Sequence, residues 1–350
     1  MAIKTPQGSV VGLPRGTNDF NARDSILMKE IISIAEEIFK RYGFSPIITP
    51  SIENTAVLNA KAYGDETTKE MYLLEGGDAA LRFDLTVPLA RFMAMNKDIP
   101  LPFKRYQIGT VWRKDEPQKM RDREFMQADV DIVGSKDLQS DAECIAAMTD
   151  AIRAIGIRNF TVLINSRGIL GAILKAFAIR EDLHPKVIRI IDKMSKISAA
   201  ETVNQLKTID IDQNTAEKMI NFIKWGKTNE EKLEKVEVNA PDSKPEVEKL
   251  KQVLAMLSSY GIESEVDVDF SLARGLDYYT GLVWEVVAEI DGKATPSIAS
   301  GGRYDNLVGI KNVAIVGARE RDAKKVNFRD MLTGTEELID IDTLIMRLKK

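Results

Sequence analysis

Between Lys104 and Arg123 the chain carries seven cations, Lys104, Arg105, Arg113, Lys114, Lys119, Arg121 and Arg123, opposed only by Asp115, Glu116 and Asp122. They lie on an apparent strand–loop–strand, RYQIGTVWR, KDEPQKMRDR and EFMQADVDIVG. Taken alone, such a cluster reads as a solvated hairpin loop. Arg113, however, alternates in phase with Val111, so it need not face open water, and a guanidinium held there presents a planar fork to a phosphate. Two further segments, SLARGLDYYTG (271–281) and ASGGRYD (299–305), each combine Gly, Arg, Asp and Tyr within a few residues. Their glycines permit close backbone approach to a ligand. Their arginines, aspartates and tyrosines supply the opposite charges and hydroxyls that a small zwitterion requires. Tight turns with surface-paired Arg and Asp would account for either segment singly, and less well for both.

Other chemistries are excluded. Gly226-Lys227-Thr228 has the tail of a phosphate-binding P-loop, but Asn221 stands where its leading glycine belongs, and no G-x-G-x-x-G follows a strand. One histidine, His184, excludes a multi-His metal site and disfavours a Ser–His–Asp triad. His184 precedes Pro185 and is expected in a surface loop. One cysteine, Cys144, allows no intrachain disulfide and points to a reducing compartment; inside a helical pattern it reads as a small core residue. Trp112 turns away from Arg113 and is expected to pack in the core. No apolar run approaches ~20 residues and the first residues lack a secretory pattern, so the expected location is the cytoplasm, with no membrane partner. The chain has 350 residues with 49 Lys+Arg against 53 Asp+Glu, a net charge of −4 and 44% hydrophobic residues, enough to bury a sizeable core.

These residues resemble the histidyl-tRNA synthetase family, class II aminoacyl-tRNA synthetases, in its archaeal/eukaryotic style. GLPRGTNDF (12–20) is similar to the family's opening motif, and 43–58, with Pro50, to motif 1, which in class II enzymes builds the homodimer interface. LRFDLTVP (81–88) and the motif 2 stretch 111–134 match in order and spacing; LARGLDYYTG (272–281) and GGRYD (301–305) resemble the two histidine-specific motifs. The resemblance implies a two-step ligase. Histidine attacks ATP to give histidyl-adenylate, and the acyl group then passes to the 3′ end of histidine tRNA.

The resemblance also implies roles. Asp84, Thr86 and Gln127 would hold the α-ammonium, a carboxylate and two neutral acceptors complementing a cation. Asp131 and Tyr279 would read the imidazole, with Tyr278 a further histidine-binding position and Tyr304 lining the pocket. Arg113 would bind the ATP α-phosphate and Arg121 the triphosphate or its neighbourhood. Arg274 would act, with Arg113, in catalysis near the reacting carboxylate and α-phosphate. ATP and Mg²⁺ are implied, with no metal ligands identified, and a homodimer through motif 1. The alternative is a noncatalytic histidine-binding paralogue, like the regulatory subunit of ATP phosphoribosyltransferase.

The elements that must position these groups follow from periodicity. A helix is expected over 24–42, with Leu27, Ile31, Ile34 and Ile38 as its apolar face, and another over 140–155, capped by Ser140 and Asp141. Strands are expected at 81–83, 103–111, 130–133, 160–164, 266–270 and 282–290, the last closed by Asp291-Gly292. Residues 168–259 are patterned for helices, ending in one with Pro245 in its first turn. The expected fold is α+β, a class II catalytic domain with a mainly antiparallel sheet flanked by helices, plus a helical insertion. Its spans are 1–167 for the first part of the core, 168–260 for the insertion, 261–310 for the second part of the core, and 311–350 for a remnant of the C-terminal anticodon-binding domain. After Gly309 the chain passes directly to IKNVAIVG (310–317), where the family continues to motif 3; motif 3 and most of the anticodon-binding domain are read as absent. In the family motif 3 is a Gly-rich strand and helix, so the resemblance implies that its loss removes a core strand and leaves an unsealed sheet edge.

Overall fold

In a computed structural model of the chain, the structure describes residues 3–4, 10–59, 71–118, 120–194, 197–273, 279–290, 292–305, 312–315, 325–330 and 336–348. Two short strands, β1 (Ile3–Lys4) and β2 (Val10–Val11), pair at the start. The first helix, α1 (Ala22–Arg41), is capped by Asn21, whose side chain accepts the Asp24 N–H, and Gly43, at φ +76°, follows its end. The expected apolar face is not the buried one. Ala35 and Phe39 are buried, Ile38 is partly so, and Leu27, Ile31 and Ile34 are exposed. Only the Ala35–Phe39 side of α1 has a wall to pack against, with Phe39 5.7 Å from the Tyr106 ring.

That wall joins the Leu138–Ala154 helix, through Ala147 and Ala151, to a three-stranded sheet in which β6 (Phe103–Trp112) lies between a parallel β3 (Ser45–Pro46) and an antiparallel β7 (Glu124–Val133). The β7 strand begins six residues earlier than its apolar run, because the β6–β7 ladder carries its polar half as well. A smaller sheet pairs β4 (Ile52–Asn54) with β5 (Ala79–Leu81), flanked by α2 (Thr55–Asn59) and α3 (Thr86–Met95). The strand expected at 81–83 therefore stops at Leu81. Arg82 turns inward to donate to the Thr49 and Thr110 carbonyls, and Asp84 accepts the Val87 N–H in the first turn of α3. The helix α4 (Leu138–Ala154) buries Ile145 and Ile152 as expected, but its cap is Asp137; Ser140 bonds Ser135, and Asp141 pairs with Arg303.

The second sheet is built on β8 (Phe160–Ser166), with Phe160, Val162 and Ile164 buried. It pairs parallel with β9 (Val266–Val268) and antiparallel with β10 (Leu282–Ile290). Gly292, at φ +71°, turns β10 into β11 (Lys293–Ala294), and β12 (Ala299–Gly302) returns along β10. The helices α5 (Arg167–Ala176), α6 (His184–Ile191), α7 (Ala199–Lys207), α8 (Gln213–Ile223), α9 (Asn229–Asn239) and α10 (Lys244–Ser259) share one apolar core with β8 and β10. Among the described residues the fold is α+β with largely antiparallel pairing.

Local details correct two expectations and account for a third feature. His184 opens α6, half-buried, with Nε2 3.0 Å from the Ile179 carbonyl, so it is not in a surface loop. Thr228 of the P-loop-like triplet is the N-cap of α9 in a reciprocal capping box with Glu231. Trp112 is only half-buried, its ring N–H donating to Glu124 across the ladder, because position 112 falls at the loop end of the hairpin rather than over a core.

At the end of the chain β13 (Asn312–Ile315), β14 (Lys325–Asp330) and β15 (Glu336–Asp340) form an antiparallel sheet followed by α11 (Ile341–Leu348), with Val326, Phe328 and Ile339 buried. No described helix is long and apolar enough to cross a membrane.

Candidate active site

Two sheet margins face one cleft. Among the described strands, β7 ends the first sheet and β12 ends its branch of the second. A cleft of about 1110 Å³ is lined by residues of both, together with the start of α3 and one side of α4. Alternation along β7 sends Gln127, Asp129 and Asp131 to one face. Asp84 and Thr86 reach the cleft from the turn that opens α3, and Tyr279 and Tyr304 from either side of the β10–β12 pair. Arg113 and Arg121 line it from the β6–β7 loop. Eight of the residues singled out from the sequence thus meet in one cavity; Arg274 and Tyr278 lie outside the described residues.

The electrostatics favour an organic cation beside a phosphate. Asp84 is buried and one oxygen accepts the Val87 N–H at 3.1 Å; withdrawal from water pushes its carboxyl up to about 7. Burial likewise raises Asp129 to about 6, with Arg105 opposing and Asp131 adding to the rise. Tyr304 donates its hydroxyl to Asp131, and burial, then the Asp131 charge, push the phenol well above its ordinary value, so it stays a neutral donor. Arg113 is fixed in place before any ligand arrives. Its Nε donates to the Phe83 carbonyl at 3.0 Å, its Nη2 to Gln127 Oε1 at 3.3 Å, and the guanidinium lies 5.1 Å from the centre of the Phe125 ring. Arg121, by contrast, is 56% exposed and ion-paired with Asp115 at 2.6 Å.

The loop bearing these arginines is anchored by the opening motif. Gly16, at φ +83°, offers its carbonyl to the Arg123 N–H at 2.7 Å, and a Cβ there would meet Arg123 Cγ at 2.8 Å. The cation cluster is therefore not a solvated loop throughout: Arg105 is fully buried, and Lys104 is tied to Glu143 and the Tyr42 carbonyl. The glycines of GGRYD also work differently from expectation. A Cβ at Gly301 would meet the Trp284 ring at 2.7 Å, and one at Gly302 the Tyr279 ring at 2.7 Å. They admit aromatic side chains rather than a ligand. Cys144 lines the same cleft, partly buried, and burial raises its thiol well above the ordinary value.

A profile of the histidyl-tRNA synthetase family matches residues 16–317. The chain belongs to that family. As a histidyl-tRNA synthetase family member it is 41% identical over 302 residues to the histidine–tRNA ligase of Aeropyrum pernix, which covers 85% of this chain and 68% of that protein. It is 35% identical over 348 residues to the one from Treponema denticola, covering 96% and 72%. The crystal structure of histidyl-tRNA synthetase from Nostoc sp. PCC 7120 superposes with a TM-score of 0.76 at 25% identity, covering 96% of this chain and 98% of that one.

Three residues in or behind the cleft were not picked out, or were given another task. Arg105 and Asp129 lie within ion-pair distance on the hairpin face and could have been found by counting the β6–β7 register, which sets Arg105 opposite Asp131 and Gln107 opposite Asp129. Arg303, within GGRYD, was expected to offer its charge to a small zwitterion. It pairs with Asp141 at 2.5 Å and donates to the Asp137 carbonyl at 3.1 Å, tying the Tyr304 loop to the start of α4.

Proposed function

We infer that this chain is the histidine-activating ligase its relatives are named for, forming histidyl-adenylate from histidine and ATP and passing the acyl group to the 3′ end of histidine tRNA. The observation that carries the reading is the convergence of Asp84, Thr86, Gln127, Asp131, Tyr279 and Tyr304 on one cleft with Arg113. Asp84, Thr86 and Gln127 hold the α-ammonium, with Asp84 ionised when the cation is bound. Asp131, Tyr279 and Tyr304 surround the ring, Tyr278 being assigned beside them by resemblance alone. An imidazole satisfies these polar groups where an apolar analogue leaves them unpaired, the condition for strong rejection without editing.

Arg113 takes the α-phosphate, Arg121 exchanges Asp115 for the triphosphate end, and Arg274 is assigned to the reacting carboxylate and α-phosphate. No protein nucleophile is needed. Holding two anions together and neutralising charge in the transition state is the main catalytic task. Mg²⁺ would be carried chiefly on the ATP phosphates, screening their charge; among the described residues no group of three His, Cys, Asp or Glu side chains could hold a metal.

A homodimer is the second part of the reading. Ile48 of the motif 1 stretch is 92% exposed, and Ile26, Leu27, Ile31 and Ile34 form an exposed apolar strip on α1, a surface suited to a second copy. Histidine-dependent exchange of pyrophosphate into ATP tests the activity. The expected result is exchange with histidine alone among the amino acids, abolished by Arg274→Ala while histidine binding largely survives. Undiminished exchange in that variant would refute the role given to Arg274.

A further inference from the structure

Arg105 stands directly across the β6–β7 ladder from Asp131. Its side chain is 0% exposed, and its Nη2 lies 2.5 Å from Asp131 Oδ2, 4.0 Å from Asp129 Oδ2 and 3.4 Å from the Leu85 carbonyl. Its Nε and Nη1 have no hydrogen-bond partner among the described residues. A guanidinium withdrawn from water in this way is a poor means of holding a fold together, since apolar side chains of similar volume commonly do as well or better. What it does accomplish is to fix the orientation of the carboxyl group opposite it. Asp131 meets Arg105 with one oxygen and Tyr304 with the other. Asp129 meanwhile accepts from Gln127 Nε2 at 3.0 and 3.1 Å, and Gln127 accepts from Arg113. One polar chain therefore runs along the hairpin face from Arg113 through Gln127, Asp129, Arg105 and Asp131 to Tyr304.

We propose that Arg105 is the positioning residue for side-chain selection, holding Asp131 as a fixed acceptor for a substrate ring that carries an N–H donor. The proposal rests on the histidine reading above. With Arg105 at one oxygen and Tyr304 donating to the other, the carboxyl group is held in place as an acceptor, and a ring without an N–H leaves that buried acceptor one donor short. Asp129 belongs to the amine end through Gln127, so ring selection is assigned to Arg105 and Asp131 rather than to the whole polar chain.

The test compares binding of histidine and of 2-thienylalanine, a near-isostere without a ring N–H, to the full chain by calorimetry, with the KM for ATP measured in pyrophosphate exchange. In Arg105→Lys the charge is kept but the planar fork is lost. The histidine-to-thienylalanine ratio is expected to fall by about tenfold or more, with the KM for ATP within about twofold of the parent. An unchanged ratio, or equal losses of histidine and ATP affinity, would overturn the proposal. Asp129→Asn supplies a second arm that leaves the Arg105–Asp131 pair in place. Here the ratio is expected to persist, and a fall as large as in Arg105→Lys would overturn the assignment to Arg105; where Arg105→Lys does not fold, Arg105→Gln replaces it with the same expected and contrary results. The parent chain separates the two levels: no preference for histidine there defeats the functional reading, whereas a preference undiminished by substitution of Arg105 defeats only this proposal.

Discussion

Tyr304 donates its hydroxyl to Asp131 across 173 residues of sequence, joining the segment after β12 to the C-terminal end of β7. This bond closes the cleft between two sheets that share no strand. It also fixes the proton inventory at the ring end of the pocket, a neutral phenol donating to a carboxylate held by Arg105. Tyr304→Phe removes the donor and leaves the carboxylate with one partner fewer. The expected loss is about 1–3 kcal/mol of histidine binding, the cost of leaving a buried polar group unmatched. Calorimetry with histidine checks it, and a melting temperature close to that of the parent separates the effect from unfolding.

The acid residues of the amine end give a pH dependence with a definite sign. Asp84 titrates at about 7 and Asp129 at about 6 in the ligand-free cleft, both raised by burial. The α-ammonium needs ionised Asp84, so kcat/KM for histidine is expected to rise with pH through 6–7 and then level. Stability without ligand runs the other way. The folded chain retains these protons above the unfolded carboxylate range, so its stability falls as pH rises from about 4 to about 7. Asp84→Asn should flatten the acid limb in the exchange assay and weaken histidine binding at pH 8. Thermal melts of the ligand-free chain across the same range check the second slope.

The glycines of β12 carry a packing prediction. Gly302→Ala would set a Cβ 2.7 Å from the Tyr279 ring and 2.8 Å from the Leu282 carbonyl, the latter a backbone atom that cannot swing aside. The expected cost is about 1–3 kcal/mol of stability, read by denaturant unfolding, with a raised KM for histidine because Tyr279 must move. Gly156→Ala is a useful comparison: a Cβ there meets nothing within 4 Å, although its φ of +99° adds strain, so it should lower stability and leave KM alone.

The exposed strip on α1 and motif 1 yields a prediction about assembly. Ile31→Asp with Ile48→Asp places charge on apolar surface that the single chain leaves open. Sedimentation should show a dimer for the parent and a monomer for the double variant, with far-ultraviolet circular dichroism unchanged. A monomeric parent would refute the dimer.

What could be read from the letters depended on how local the physics was. The β6–β7 hairpin around the Arg113 loop and the β10 strand were legible because alternation and charge act within a few residues, whereas strand β12, which holds the GGRYD glycines, was not. The helix α1 was legible as a helix, yet its buried face was not, because burial is decided by which neighbour the fold supplies, and the single chain supplies one only on the Ala35–Phe39 side. The Arg105–Asp131 pair was hidden for a different reason. Both residues were in plain view, but their meeting depends on hairpin register, and a shift of one residue would have turned them to opposite faces. Gly301 and Gly302 were rightly singled out for a wrong reason: the approach they permit is by Trp284 and Tyr279.

The central claim is that the β7 margin and the Tyr279–Tyr304 segment form a single receptor for free histidine. Calorimetric titration of the parent chain with histidine, and separately with glutamine, both without ATP, tests it most directly. One histidine is expected to bind per chain, at least about a hundredfold tighter than glutamine. Equal affinity for the two amino acids, or binding of neither, would contradict it.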